Sequence, residues 1–188
     1  MNTESYAKST IGRLGIKLLA KLMESRFRYR FFNPVKILQG VENLHGKTVL
    51  EIGCGTGFFT IPAAGIIGDQ GSLTAMDILS ESVDHVSHKV QSSKLQNVRV
   101  VKGDALNTNL ETESFQTVIL FGVIPAPMVP INQLLPEMHR VLKPGGILAV
   151  WPPVPGLSGS IIKTGLFSYI NKLSGVYNFK KENKQFSK

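Results

Sequence analysis

Short apolar runs alternate with helix-length mixed segments along most of this chain, and that alternation predicts an α/β architecture. Val49-Leu50-Glu51-Ile52, Ser72-Leu73-Thr74-Ala75-Met76, Val98-Arg99-Val100-Val101-Lys102, Phe115-Gln116-Thr117-Val118-Ile119-Leu120-Phe121 and Ile147-Leu148-Ala149-Val150-Trp151 read as strands. Their apolar positions are consecutive rather than alternating, as in strands of a parallel sheet covered on both faces. Helices are predicted from Thr60 to Ile67 and from Leu134 to Leu142, the second broken by Pro144-Gly145-Gly146. Beyond Trp151, Pro152-Pro153-Val154-Pro155-Gly156 must be loop, because successive prolines remove ladder donors. Ser158 to Thr164 predicts a short helix stopped by Gly165, and Leu166–Lys172 with Val176–Glu182 predict a hairpin around Leu173-Ser174-Gly175. At the other end, Ile11, Leu14, Leu18, Leu19, Leu22 and Met23 recur at helical spacing with Arg13, Lys17 and Lys21 on another face, an amphipathic basic helix.

The first strand runs into Gly53-Cys54-Gly55-Thr56-Gly57-Phe58-Phe59, three glycines at alternate positions before a helix. Glycine lacks Cβ, so it permits φ > 0 and close approach of a ligand, while the free N–H groups of the next helix face the same crevice. A dinucleotide loop would be spaced G-x-G-x-x-G and would need glycine at 58, where this chain has Phe58. A plain strand-to-helix turn is the simpler alternative. The second strand ends at Asp77, a carboxylate at the edge where open α/β sheets bind ligands, or else an N-cap for the next helix, with Ser80 and Ser82 as rivals for that role.

Glu51-Ile52-Gly53-Cys54-Gly55-Thr56-Gly57, Asp77, Gly103-Asp104-Ala105 and the Pro-Gly-Gly break, in this order, resemble the class I S-adenosylmethionine-dependent methyltransferases over about residues 26–182. The subgroup with the ubiquinone and menaquinone biosynthesis enzymes is the nearest in pattern. The resemblance implies a Rossmann-like, doubly wound, seven-stranded sheet, mostly parallel with an antiparallel C-terminal hairpin strand and helices on both faces. It also implies S-adenosyl-L-methionine as cofactor. Gly53, Cys54, Gly55, Thr56 and Gly57 would lie against its amino-acid end, and Glu51 would orient that loop or reach the ammonium through water. Asp77, with Ile78 beside it, would take the ribose, Asp104 and Ala105 the adenine, and Phe121, Gly122 and Val123 the floor near the methyl group. The domain expectation is a basic segment, residues 1–40, acting as lid or cap, followed by the cofactor domain, residues 41–188.

The 188 residues suffice for one domain with a substantial core, and 43% hydrophobic with 18% charged residues argues against disorder. A single cysteine, Cys54, excludes an intrachain disulfide and leaves no metal centre to propose; it reads as a small side chain behind the loop. No run approaches a membrane span and Met1-Asn2-Thr3-Glu4-Ser5 is not signal-like, so a cytoplasmic protein without an integral membrane segment is expected. The net charge of +8 belongs to the ends: residues 1–40 hold eight Lys/Arg against two Glu, and 163–188 six Lys against one Glu. Basic termini, and the run Arg26-Phe27-Arg28-Tyr29-Arg30-Phe31-Phe32, raise peripheral contact with anionic membrane or nucleic acid, against the plainer reading of solvated faces and packed rings.

Methyl transfer from a sulfonium is an in-line displacement with an activated leaving group, so alignment matters more than acid or base groups. His139 is the one base candidate, though mid-helix beside Arg140 it reads more readily as a packing residue. The loop Gly122-Val123-Ile124-Pro125-Ala126-Pro127, followed by Met128 and Val129, lacks polar clamps for a nucleobase amine and suits a small, largely apolar acceptor. An RNA methyltransferase, a non-catalytic nucleic-acid or membrane-surface binding protein on the same scaffold, and an NAD-dependent oxidoreductase, disfavoured by Phe58, remain as alternatives.

Overall fold

The computed structural model describes residues 32–124 and 129–183. The amphipathic segment Thr10–Met23, the arginine-aromatic run up to Phe31 and the acceptor-loop residues Pro125–Met128 lie outside the described residues, as do the last five.

Elements follow in the order α1 (Pro34–Leu38), β1 (Thr48–Ile52), α2 (Thr60–Ile67), β2 (Ser72–Asp77), α3 (Ser80–Ser92), β3 (Val98–Lys102), β4 (Phe115–Phe121), α4 (Ile131–Val141), β5 (Leu142–Trp151), α5 (Leu157–Ile162), β6 (Phe167–Leu173) and β7 (Val176–Lys181). One seven-stranded sheet has the order β3-β2-β1-β4-β5-β7-β6, parallel from β3 to β5, with β7 antiparallel to both β5 and β6. The chain runs outward from β1 to β3, then returns to β4 on the other side of β1. That reversal leaves a crevice at the carboxyl ends of β1 and β4, where doubly wound sheets hold ligands.

Of the apolar runs, β1, β2 and β4 are covered on both faces and buried almost throughout, whereas β3, at the edge of the sheet and carrying Arg99 and Lys102, has no fully buried residue. Successive residues of β4 serve opposite cores. Val118 and Leu120 join Leu134, Leu135, Met138 and Val141 of α4, whereas Ile119 and Phe121 join Ile37 and Leu38 of α1 and Ala63, Ala64 and Ile67 of α2. On this second face Phe59 meets Phe58, Phe121 and Trp151 edge-on, with centroids 4.9, 4.9 and 5.7 Å away, and Phe32 meets Trp151 at 5.4 Å. Each such ring pair adds about 0.5–1.5 kcal/mol beyond area burial. Phe58, where a dinucleotide fold needs glycine, is therefore a core ring.

Two boundaries differ from the sequence expectation by three residues or more. Helix α4 starts at Ile131, a turn earlier than Leu134, and β5 begins directly after it at Leu142 rather than at Ile147. The reason is the pairing with β4: Leu142 pairs with Phe115 and Ile147 with Thr117, so Lys143-Pro144-Gly145-Gly146 bulges out within the strand instead of separating helix from strand. Gly145 carries the bend at φ +70°. The hairpin forms as expected, with Ser174 at φ +47° and Gly175 at +82°, the two-residue turn that matches strand twist.

Candidate functional site

The glycine loop is built by β1 pairing with β2. At the end of the ladder the amides of Gly53 and Cys54 both donate to the Met76 carbonyl, at 2.8 and 3.0 Å, and the Gly57 amide donates to the Cys54 carbonyl at 2.8 Å. Gly53, Gly55 and Gly57 all have positive φ, 73°, 52° and 77°. At Gly53 the conformation is joined by crowding: a Cβ there would stand 2.9 Å from Cγ2 of Val123. Glycine at 53 thus lets the β1 and β4 loops approach each other across the crevice.

Behind the loop, Glu51 is 2% exposed and its Oε2 accepts a 2.6 Å hydrogen bond from Thr60 Oγ1 at the start of α2. Burial, with a smaller push from the Asp77 charge, raises its pKa to about 7 against the Thr60 bond, so Glu51 anchors α2 to β1 from the protein side. Cys54 is buried against Ala75, Val86 and Val90, and burial pushes its thiol up, which makes it a packing side chain. The Thr56 carbonyl accepts from Lys89 Nζ of α3 at 2.8 Å, a tether invisible in the local motif.

Asp77 is 8% exposed. Its Oδ2 accepts from the Gly55 amide at 2.8 Å and its Oδ1 from the Leu79 amide at 3.0 Å. Burial raises its pKa, while the amides of Leu79, Gly55 and Ile78 pull it back. The helix α3 has Leu79 at its N-cap with no side-chain cap bond, so neither Asp77, Ser80 nor Ser82 fills that position in the expected way. These amides fill only part of the roughly four acceptor positions of a carboxylate, so Asp77, which lines the crevice, retains acceptor capacity.

The crevice encloses about 120 Å³ between Ile52, Gly53, Met76, Asp77, Ile78, Gly103, Asp104, Ala105, Leu106, Val123 and Val129. Of the residues that the sequence singles out, it gathers Gly53, Asp77, Ile78, Asp104, Ala105 and Val123 around one opening. Asp104 is exposed, and its Oδ1 accepts from the Leu106 amide at 2.9 Å, which folds the loop after β3. Gly122 sits at φ +77°, its amide donating to the Trp151 carbonyl.

Phe121 is not part of this lining. Its side chain packs in the aromatic group around Phe59 and Trp151, and the turn at Gly122, φ +77°, ends the strand's alternation, so that Val123 joins the opposite core and lines the crevice. His139 also stands apart: its Nε2 meets the Glu182 carbonyl at 2.8 Å and its ring lies 5.7 Å from that of Phe167, packing α4 onto the C-terminal strands. Of the other liners, sequence reasoning gives no site role to Ile52, Met76, Gly103 and Leu106, whereas Val129 belongs to the loop read as the acceptor side; Leu106 and Val129 come from two loops far apart in the chain.

A charged network fixes one of those loops. Glu137 Oε1 accepts from the Thr108 amide and hydroxyl at 2.8 and 2.6 Å, and from Arg140 Nη2 at 2.7 Å; Arg140 also donates to the Leu110 carbonyl at 2.8 Å. The Arg140 guanidinium holds Glu137 down to about 2. Helix α4, which continues from the acceptor loop, is thereby clamped to the loop that carries Asp104 and Ala105. Among the described residues no cluster of metal-binding side chains occurs, and no helix is long and apolar enough to cross a membrane.

The profile of the methyltransferase domain family matches residues 49–146, which span β1 to the bulge of β5. Demethylmenaquinone methyltransferase of Listeria welshimeri is 33% identical over 147 residues, 76% of this chain and 60% of that protein. The enzyme of the same name from Staphylococcus epidermidis is 38% identical over 104 residues, 55% of this chain and 42% of that protein. The chain therefore spans roughly half of these relatives' own length. A crystal structure of an S-adenosylmethionine-dependent methyltransferase from Aquifex aeolicus superposes with a TM-score of 0.73 at 22% identity, covering 86% of this chain and 95% of that one, a likeness of fold.

Proposed function

We propose, from the premise that this chain belongs to the methyltransferase domain family and has the sheet of the class I S-adenosylmethionine-dependent enzymes, that it transfers a methyl group to a small, largely apolar acceptor of the quinone type. The observation that carries the reading is the pairing of Gly53 with Asp77 in one crevice. A backbone edge without side chain lies beside a buried carboxylate that retains acceptor positions.

S-adenosylmethionine, when bound, supplies an electrophilic methyl on a sulfur that is already a good leaving group. The residues of this chain have the tasks of holding and aligning. Gly53 offers backbone to the amino-acid end, Gly55 holds Asp77 through its amide, Asp77 accepts from ribose hydroxyls, and Asp104 with the apolar walls of Ala105, Leu106 and Ile78 brackets the adenine. Val123 and Val129 keep the methyl side dry and apolar, which supports an acceptor without charge. Alignment of this kind lowers a displacement barrier by several kcal/mol without a general base at the site. The quinone class is supported by the activity for which the two bacterial relatives are named and by these apolar walls.

The test is transfer of label from tritiated S-adenosylmethionine. Purified protein is given reduced naphthoquinols and benzoquinols of increasing prenyl length, with bulk RNA as the competing acceptor. Label in the extracted quinol supports the reading, whereas label in RNA alone, or in neither, removes it.

A further inference from the structure

Among the described residues six large apolar side chains are exposed, and four of them, Ile162, Tyr169, Ile170 and Leu173, lie on α5 and β6 at 38–48% exposure. Lys163 and Lys172 are exposed beside them, and between Met138 and Lys181 the sequence contains no Asp or Glu at all. By the β6–β7 register Tyr169 and Lys172 share the sheet face of α5, whereas Leu173 and Asn171, whose Nδ2 donates to the Glu42 carboxylate at 2.8 Å, lie on the other. Exposed apolar side chains interleaved with lysine on the α5 face are at odds with an ordinary solvated surface.

Strand β6 is the outermost strand of the sheet, so its free edge invites a second copy of the chain. Two features oppose that occupant. The β6–β7 register shifts between Tyr169 and Asn171, and Lys172 sits on the strand; bulges and lysines are the usual defences against edge-to-edge pairing. The same features suit a lipid headgroup layer: lysines meet anionic phosphates, tyrosine sits at the polar boundary, and Ile162 of α5 reaches the acyl region. The strip is also well placed. Leu173 ends β6 at the hairpin turn whose Gly175 lies beside Trp151, and Trp151 pairs with Phe121 immediately before the crevice residues Gly122 and Val123. The carboxyl end of β6 and the crevice therefore share one edge of the sheet.

We propose that the α5–β6 strip is a docking face for an anionic phospholipid bilayer. Its purpose, though not its binding, rests on the reading of a lipophilic acceptor: a protein seated there meets an acceptor held in the membrane.

The experiment is flotation of the full chain with vesicles of phosphatidylcholine alone or mixed with phosphatidylglycerol. The wild type is expected to float with the mixed vesicles, less so as salt rises, and not with the neutral ones. Lys163→Glu/Lys172→Glu is expected to lower the partition coefficient roughly tenfold or more, and Ile162→Ser several-fold. Unchanged circular dichroism and unchanged binding of S-adenosylhomocysteine establish that the variants remain folded. The proposal is overturned if the wild type ignores anionic vesicles, if both variants float like the wild type, or if the substitutions change the oligomeric state and leave flotation intact. Methylation of a water-soluble short-chain quinol is read separately, so that failure of the membrane face and failure of the acceptor class give different patterns.

Discussion

Replacing Asp77 by Asn tests the cofactor site with the smallest change of shape. Oδ1 can still accept from the Leu79 amide at 3.0 Å, but the new amide nitrogen faces the Gly55 amide, now donor against donor at 2.8 Å. A hydrogen bond to a charged acceptor contributes about 1.5–3 kcal/mol, and its loss here is offset in part because a buried charge, already resisted by burial, disappears as well. The net change in fold stability is therefore expected to stay within about 2 kcal/mol. Ligand affinity has no such offset, since the ribose would lose one or two charge-assisted bonds. That corresponds to about 1.5–4 kcal/mol, or a tenfold to thousandfold rise in Kd. Isothermal titration with S-adenosylhomocysteine, alongside urea unfolding, reads both quantities. A folded Asp77→Asn protein whose Kd stays within about threefold of wild type would falsify the assignment of Asp77 to the ribose.

Gly53→Ala is expected to weaken the same ligand by blocking both loops, through positive φ and the 2.9 Å approach to Val123. The cost of the left-handed backbone, about 1–2 kcal/mol, persists in Gly53→Ala/Val123→Ala, whereas the steric part is relieved. Equal affinities for the single and double variants would mean that crowding plays no part. Glu137 is held near 2 instead of 4.5, so its contribution to stability is fully present above pH 4.5 and is lost as pH falls through about 2. With Arg140 35% exposed, solvent screening reduces the roughly 3 kcal/mol implied by that shift to about 1–2 kcal/mol. Urea midpoints from pH 2 to 6 should slope less in Glu137→Gln, and parallel curves for the two proteins would show that the network carries none of the acid sensitivity.

The parts of this fold that depend on neighbours in sequence are readable from the chain. Consecutive apolar runs define β1, β2 and β4, and Ser174-Gly175 defines the hairpin, because period and turn chemistry are local. What escapes depends on pairing. The start of β5 at Leu142 follows from Phe115, and no local signal tells a bulge of Pro144-Gly145-Gly146 from a loop. Phe121 stands beside the crevice in sequence but belongs to the opposite face, and strand parity fixes that only once the face of Leu120 is known. The Thr108–Glu137 clamp and the Lys89–Thr56 tether join residues about 30 positions apart, beyond the reach of any motif. The glycine loop and Asp77 are legible because both lie within one β-loop-α-β unit, where spacing and geometry coincide.

Trp151 is the sole tryptophan of the chain, and its indole stands at the carboxyl end of β5 among Phe32, Phe59 and Phe121. With excitation on the long-wavelength side of the absorption of the four tyrosines, its emission reports on a single, known spot next to the Gly122 turn, with no label to attach. Solution events at that spot, from ligand entry to loss of ring stacking during unfolding, can be followed optically in the unaltered protein.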